Sequence, residues 1–317
     1  MGVIDLATRR SERAFIVVNP KAQNGRAGKE WPVLERIIKD EFHGEFHAEF
    51  TSAPLHATDL AKQALREGYD LVVALGGDGM LNEVVNGFFD QGRVINANAI
   101  LGVLPFATAA DFIKTVGIPR DFREAAKRLD SSSTKLCDVG LISCDSLDGL
   151  PTSRYFINIA EFGVGANVVD RVNRTTKRFG GTVSFTWGIL RTIPFYRNKQ
   201  VSFSIDKGAE TDARINNLIV ANGRFYGAGL KPAPNAQIDD ALFDISIIGN
   251  VGLFESITSL GKLRDGTYLN LPKVTSQRGT RLSARCSERV LIEADGEVVG
   301  KLPATFELLP SAIRIRA

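Results

Sequence analysis

The chain has 317 residues, a formal net charge of +3, 44% hydrophobic and 24% charged residues, and three cysteines. That length favours two cores over one, and the composition reads as an ordinary soluble globular protein. So small a charge gives no argument for nucleic acid as a partner, and Cys137, Cys144 and Cys286 lack metal-ligand spacing and read as reduced, mostly buried thiols.

The segment Met1 to Arg13 lacks the apolar core of a secretion signal, and no later apolar run approaches membrane-span length. A cytoplasmic protein is therefore expected, with a local basic patch still able to meet an anionic inner-membrane surface.

In chain order, Ala14 to Val18 predicts a strand, followed by the amide- and glycine-rich loop Asn19-Pro20-Lys21-Ala22-Gln23-Asn24-Gly25-Arg26. Trp31, Leu34, Ile37 and Ile38 then mark a helix. Phe46 to Thr51 alternates like a second strand, and Leu60, Ala61, Ala64 and Leu65 form one stripe of a helix over 55–66. The continuous apolar run Leu71 to Leu75 predicts a parallel strand buried on both faces, and it runs directly into Gly76-Gly77-Asp78-Gly79. Val84, Val85, Phe88 and Phe89 place a helix after Asn82 and Glu83, so the glycines lie between a strand's carboxyl end and a helix amino terminus. Glycines let backbone approach an anion closely, and the unpaired N–H groups of a first helical turn point at it, a geometry suited to a nucleotide polyphosphate. A carboxylate there would repel phosphate without an intervening divalent cation, so Asp78 is expected to order a magnesium-bound water network. Ile100 to Pro105 is a fourth strand, with Phe106 to Phe112 leading into another helix. Repeated β-loop-α units imply a parallel sheet with ligands at the carboxyl ends of its strands.

The texture changes near Ser131-Ser132-Ser133. Short β-branched and aromatic runs follow at 135–142, 155–160, 201–205, 217–221, 242–248 and 289–294, which predicts an antiparallel sandwich. A helical interruption over 166–197 interleaves Arg171, Arg174, Lys177, Arg178, Arg191 and Arg197 with Phe185, Trp187, Ile189, Leu190, Phe195 and Tyr196. Packing on the sandwich with a solvated basic face is the favoured reading, and contact with lipid headgroups is the alternative. His43 and His47 have no third ligand nearby and read as surface residues, while His56 falls at a helix start.

The order Asn19-Pro20, Gly76-Gly77-Asp78-Gly79 with Asn82-Glu83, and Leu104-Pro105 with Thr108 and Asp111-Phe112 resembles the nucleotide-binding half of the diacylglycerol kinase catalytic-domain family. That family includes soluble bacterial lipid kinases and the sphingosine and ceramide kinases. Asn222 to Gly229, Pro234 to Leu242 and Asp295-Gly296-Glu297 resemble its later signatures in the same sequence, so the likeness runs from about Phe15 to Ile315. It implies an α/β nucleotide-binding domain over 1–133, a β-sandwich substrate domain over 134–302, and a closing strand, 303–317, that returns to the first domain. It also implies ATP and Mg2+ as cofactors and transfer of the γ-phosphate to a hydroxyl of a lipid, such as diacylglycerol or a sphingoid base, met at a membrane surface. ATP would lie across Asn19, Pro20, Thr51, the turn Gly76, Gly77, Asp78, Gly79, Met80, Leu81 and Asn82, and Thr108. Glu297 matches the family's general base, and a structural magnesium would be held by the Asp240 carboxylate with the carbonyls of Gln237 and Leu242.

Several small residues depart from the family pattern. Met80 stands for a usual threonine, Ala107, Ala109, Ala228 and Ala241 for common glycines, and Ala110 for a common asparagine. These changes keep open a kinase-like lipid- or nucleotide-binding protein without turnover, with an NAD kinase as a further alternative. A homodimer is also left open.

Overall fold

The computed structural model describes residues 12–108, 110–175, 188 and 191–317. Its first half alternates strands and helices: β1 (Arg13–Val18), α1 (Ala22–Glu41), β2 (Glu45–Phe50), α2 (His56–Arg66), β3 (Leu71–Gly76), α3 (Asp78–Gly87), the short pair β4 (Phe89–Asp90) and β5 (Arg93–Val94), β6 (Ile100–Pro105), α4 (Phe112–Val116) and α5 (Phe122–Arg128). Strands β2, β1, β3 and β6 pair in parallel in that order. Every residue of β3 is buried, as the uninterrupted apolar run requires of a strand covered by helices on both faces. At the start of α1, Gln23, Asn24 and Gly25 have φ of 50°, 59° and 86°, so a left-handed turn precedes the regular helix. The expected amide-rich loop thus survives as a distinct local conformation, which Asn and Gly tolerate better than other residues.

The second half contains β7 (Lys135–Asp145), β8 (Pro151–Phe156), β9 (Ile159–Gly163), α6 (Val164–Thr175), β10 (Lys199–Ile205), β11 (Thr211–Ile215), β12 (Asn217–Ala221), β13 (Phe243–Ile248), α7 (Leu253–Asp265), β14 (Val274–Gly279), β15 (Arg281–Arg285), β16 (Leu291–Ala294) and β17 (Glu297–Ile315). One layer runs β14-β13-β12-β9-β16-β17, and the other joins β8, β7, β17, β15, β10 and β11. Phe156, Phe162, Phe243, Phe306, Ile245 and Ile292 fill the core between them. The architecture is therefore an α/β unit with a parallel sheet followed by an antiparallel β-sandwich.

Strand β17, 19 residues long, is the spine of the molecule. It starts in the sandwich against β16, runs beside β7 and β15, and ends parallel to β6 through Arg314↔Ile100 and Ile315↔Leu101. Arg316 then closes the first half, bonding both oxygens of Glu12 and the Leu129 carbonyl while almost wholly buried.

Several expected boundaries move. The run at 155–160 divides into β8 and β9, because Ile157, Asn158 and Ile159 turn their N–H groups to the Asp295 carboxylate. The charged strands β14 and β15 and the helix α7 are additional elements. Lys177, Arg178, Phe185, Trp187, Ile189 and Leu190 of the basic segment, and Ala109, lie outside the described residues. Cys137 and Cys144 are buried and Cys286 half-buried, all as free thiols. Burial pushes the Cys144 thiol up to about 11, which keeps it unreactive.

Candidate active site

The carboxyl ends of the parallel strands open on one cleft of about 1,060 Å3. Asn19 follows β1, Thr51 follows β2, Gly77 and Asp78 follow β3, and Ala107 and Thr108 follow β6, and all of them line it. This is the edge where an open α/β sheet offers its ligand site. The loops are held by continuation of the strand ladder: Asn19 N–H donates to Leu75 O (3.3 Å), Thr51 N–H to Val18 O (2.9 Å) and Phe106 N–H to Gly76 O (3.0 Å). The Asn19 side chain accepts the Lys21 N–H at 2.9 Å, fixing the first turn, and the Thr108 carbonyl accepts from Arg120 at 2.5 Å.

From the opposite side the cleft is closed by the turn between β16 and β17. Asp295 and Gly296 have φ of 49° and 91°, the two left-handed residues of a type I′ hairpin, for which Asp-Gly is a preferred sequence. Glu297 follows immediately. A methyl placed on Gly79 would sit 3.6 Å from Glu297 Oε1, so the carboxylate near the chain's end faces the glycine turn of its first third. Asn173 of α6 also approaches Glu297, at 3.3 Å. Val169 and Val172 of α6 with Val298 and Val299 of β17 add an apolar wall.

The turn rests on a buried anchor. Asp295 accepts the N–H groups of Ile157 (2.9 Å), Asn158 (3.0 Å) and Ile159 (3.0 Å) and the Asn82 amide at 2.8 Å. Burial raises its pKa, and these four hydrogen bonds pull in the other direction. Asn82 in turn donates to the Tyr155 carbonyl and accepts from Arg154 Nε at 2.9 Å. Burial lowers the Arg154 pKa, opposed by Glu83, Asp295 and Glu297.

Of the residues expected to contact ATP, Asn19, Thr51, Gly77, Asp78, Gly79, Met80 and Thr108 line the cleft together with Glu297. Pro20, Gly76, Leu81 and Asn82 do not. Pro20 packs on Gly28, Gly76 admits the Met80 side chain where a methyl would come within 2.8 Å, and Leu81 is core. Asn82 is fully buried and ties α3 to the second half. Asp78 also has partners within the chain: its oxygens accept the N–H groups of Asp111 (2.8 Å) and Phe112 (3.3 Å), so it tethers the loop after β6. Burial pushes its carboxyl up to about 6, with the nearby Asp111 charge adding to the shift and the Asp111 N–H bond opposing it. Asp111, buried, pairs with Lys114 and accepts the Ala228 N–H at 2.7 Å across the two halves.

Gln237, Asp240 and Leu242 are not brought to the cleft. Asp240 Oδ2 pairs with Arg278, Oδ1 accepts the Leu242 N–H at 3.2 Å, and Arg278 also reaches within 3.7 Å of Asp244. The guanidinium supplies the counter-charge that a magnesium ion would. Among the described residues no group of three or more His, Cys, Asp or Glu side chains is arranged to hold a metal ion. This donor set does not fit a resident magnesium.

Sequence reading missed Arg154, Asn158, Glu161, Tyr226 and Glu293 as cleft residues. Glu161 and Glu293 had a usable signal, since a lone glutamate within an apolar strand (Ile159–Gly163, Leu291–Ala294) is costly to bury without a purpose. Arg154 had none, because β8 is polar on alternate residues like any strand facing solvent on one side.

An α/β unit whose strand ends meet a carboxylate carried by a β-sandwich defines a two-part protein built around a cleft between its halves. The chain belongs to the diacylglycerol kinase catalytic-domain family. The model for the diacylglycerol kinase catalytic domain matches residues 13–142, and that for the YegS C-terminal NAD kinase beta sandwich-like domain matches 158–317. A curated diacylglycerol kinase of Bacillus subtilis (strain 168) is 29% identical over 297 residues, covering 93% of each chain. One from Staphylococcus carnosus (strain TM300) is 28% identical over 305 residues, covering 96% of this chain and 94% of its own. In backbone, the chain is similar to a solved diacylglycerol kinase from Bacillus anthracis strain Sterne, with TM-score 0.69, 20% identity and coverage of 98% and 97%. Yeast NADH kinase complexed with NADH shares the fold at TM-score 0.53 and 13% identity, with coverage of 97% and 83%.

Proposed function

We propose that this protein is a lipid kinase that transfers the γ-phosphoryl group of ATP to a hydroxyl of a lipid such as diacylglycerol or a sphingoid base. The observation that carries the reading is the apposition of Glu297 and the glycine turn across one cleft. The triphosphate would lie along Asn19, Thr51, Gly77, Gly79 and Thr108, where the first turn of α3 presents backbone N–H groups. The lipid hydroxyl would approach from the Val169, Val172, Val298 and Val299 side. Its oxygen forms a bond to the γ-phosphorus as the bond to the bridging β-oxygen breaks, ADP leaves with that oxygen, and the hydroxyl proton passes to the Glu297 carboxylate. Positioning and electrostatic stabilisation supply most of the rate in such a transfer, with one carboxylate for the proton. Magnesium enters this reading with the nucleotide, as part of the substrate MgATP, and no residue of the chain is assigned to it. No helix among the described residues is long and apolar enough to cross a membrane. The exposed Phe195 and Phe254, each 79% accessible, support contact with a cytoplasmic membrane surface where the lipid is met.

The test is incubation of the purified protein with labelled ATP, magnesium and a panel of lipids in mixed micelles. A labelled phospholipid product is expected. Label transferred to NAD and to no lipid would replace this reading with the NAD kinase alternative, and lipid binding without any transfer would replace it with a non-catalytic binder.

A further inference from the structure

The cleft contains two buried carboxyls for which phosphoryl transfer, as described above, has no use. Glu161 of β9 and Glu293 of β16 stand directly opposite each other in the antiparallel register, at 1% and 2% exposure, and both line the cleft. Among the described residues neither forms an ion pair with Lys, Arg or His. Glu161 accepts from the Asn217 amide at 2.6 Å and bonds the Tyr226 hydroxyl. Asn217 also accepts the Gly165 N–H at 3.1 Å, and a methyl on Gly165 would fall 1.7 Å from Glu161 Oε1. The first turn of α6 therefore presses its amino-terminal end onto Glu161 and favours the charge there. Glu293 Oε2 accepts the N–H of Gly296 at 2.9 Å, and Gly296 is the residue that delivers Glu297 into the cleft.

Two carboxyls facing each other out of water cannot both ionise cheaply, so they titrate as a unit and hold a proton between them. We propose that Glu161 and Glu293 form a proton-sharing pair, with Glu161 as its charged end, that positions Glu297 through the Glu293 bond to Gly296. Both are positioning residues, and the inference rests on the reading of Glu297 as the base. Burial pushes both carboxyls up, and the Glu161 charge raises Glu293 further. Among the described residues the groups acting on the pair are Tyr226, Tyr268 of the short helical turn Thr267–Asn270, and Asp295 and Glu297 of the hairpin, while Glu255 and Lys273 line a second cavity with Glu161. The first turn of α6 brings Val164, Gly165, Ala166 and Asn167, none ionisable. Loss of the shared proton at alkaline pH adds a second negative charge beside Asp295 and Glu297, repels the turn and misaligns the base.

The experiment measures kcat and KM against pH for lipid phosphorylation by the wild type, Glu161→Gln, Glu293→Gln and Glu293→Leu. Wild-type kcat is expected to fall on the alkaline side, and either Gln variant, with the proton made permanent, to flatten that fall. Glu293→Leu, which cannot accept from Gly296, should lose about tenfold or more in kcat at every pH with the KM for ATP unchanged, and Glu293→Gln should recover most of that loss. An alkaline fall that persists in both Gln variants, or full activity in folded Glu293→Leu, overturns the proposal. Infrared difference spectra give a readout that does not depend on activity. A protonated-carboxyl band near neutral pH, lost in the double Gln variant, supports the pair even if Glu297→Gln proves active and the base reading fails. Absence of that band from the wild type overturns the pair itself.

Discussion

Replacing Asp295 by alanine removes the acceptor for four donors at once: the N–H groups of Ile157, Asn158 and Ile159 and the amide of Asn82. Each buried donor left unpaired costs about 1–3 kcal/mol, and release of the buried carboxylate's own desolvation offsets part of the sum. A net loss on the order of 4 kcal/mol follows, a large fraction of the roughly 5–15 kcal/mol typical of a folded protein. Asp295→Asn keeps one acceptor oxygen and turns an NH2 toward two of the donors, so about half that loss is expected. Asn82→Ala should be coupled to it by about 1 kcal/mol in a double-mutant cycle, because the two side chains share a hydrogen bond. Urea unfolding followed by circular dichroism reads all of these. A loss below about 1 kcal/mol for Asp295→Ala would show that this anchor does not organise the hairpin and would refute the reasoning.

Ala228 and Ala241 stand in the left-handed region, with φ of 66° and 59°, where a Cβ is unfavourable. Ala228→Gly and Ala241→Gly should each stabilise by about 0.5–1 kcal/mol, read from urea midpoints, and destabilisation by either would contradict the strain argument. The Asp78 carboxyl, raised to about 6, binds its proton more tightly in the folded chain than in the unfolded one. Its contribution to stability therefore declines as pH rises from about 4 to about 6. The difference in unfolding free energy between wild type and Asp78→Asn should carry that slope, and a pH-independent difference would show that Asp78 is not perturbed. Gly79→Leu should fill the space in front of Glu297 and abolish lipid phosphorylation while the unfolding midpoint stays close to wild type. Retained activity in that variant would place the reacting groups elsewhere.

Local chemistry was enough to see the parallel strands and the glycine turn. The run Leu71 to Leu75 has no polar residue to expose, and Gly76-Gly77 follows without a break, so strand, turn and helix were readable together. The hairpin Asp295-Gly296 was readable as a turn from its dipeptide, and its place in the cleft followed from the order of the signatures. Residues whose partners are distant in sequence were misread. Asn82 sits beside the glycine turn in sequence, yet its amide reaches Asp295, 213 residues away. Asp240 was expected as a magnesium ligand from the family resemblance, and the Arg278 it pairs with lies 38 residues downstream. Strands β14 and β15 carry little apolar signal because the middle of β14 is exposed and β15 is short, burying only Leu282 and Ala284. Sequence periodicity reports what a segment buries and is silent on which remote group it meets.

The most direct measurement is single-turnover phosphorylation of diacylglycerol by wild type and Glu297→Gln, paired with calorimetric titration of each by MgATP. Equal ATP affinity is expected, with the transfer rate of the variant lower by about 10²–10⁴-fold. Transfer by Glu297→Gln at the wild-type rate would contradict the assignment of the β16–β17 turn as the source of the base.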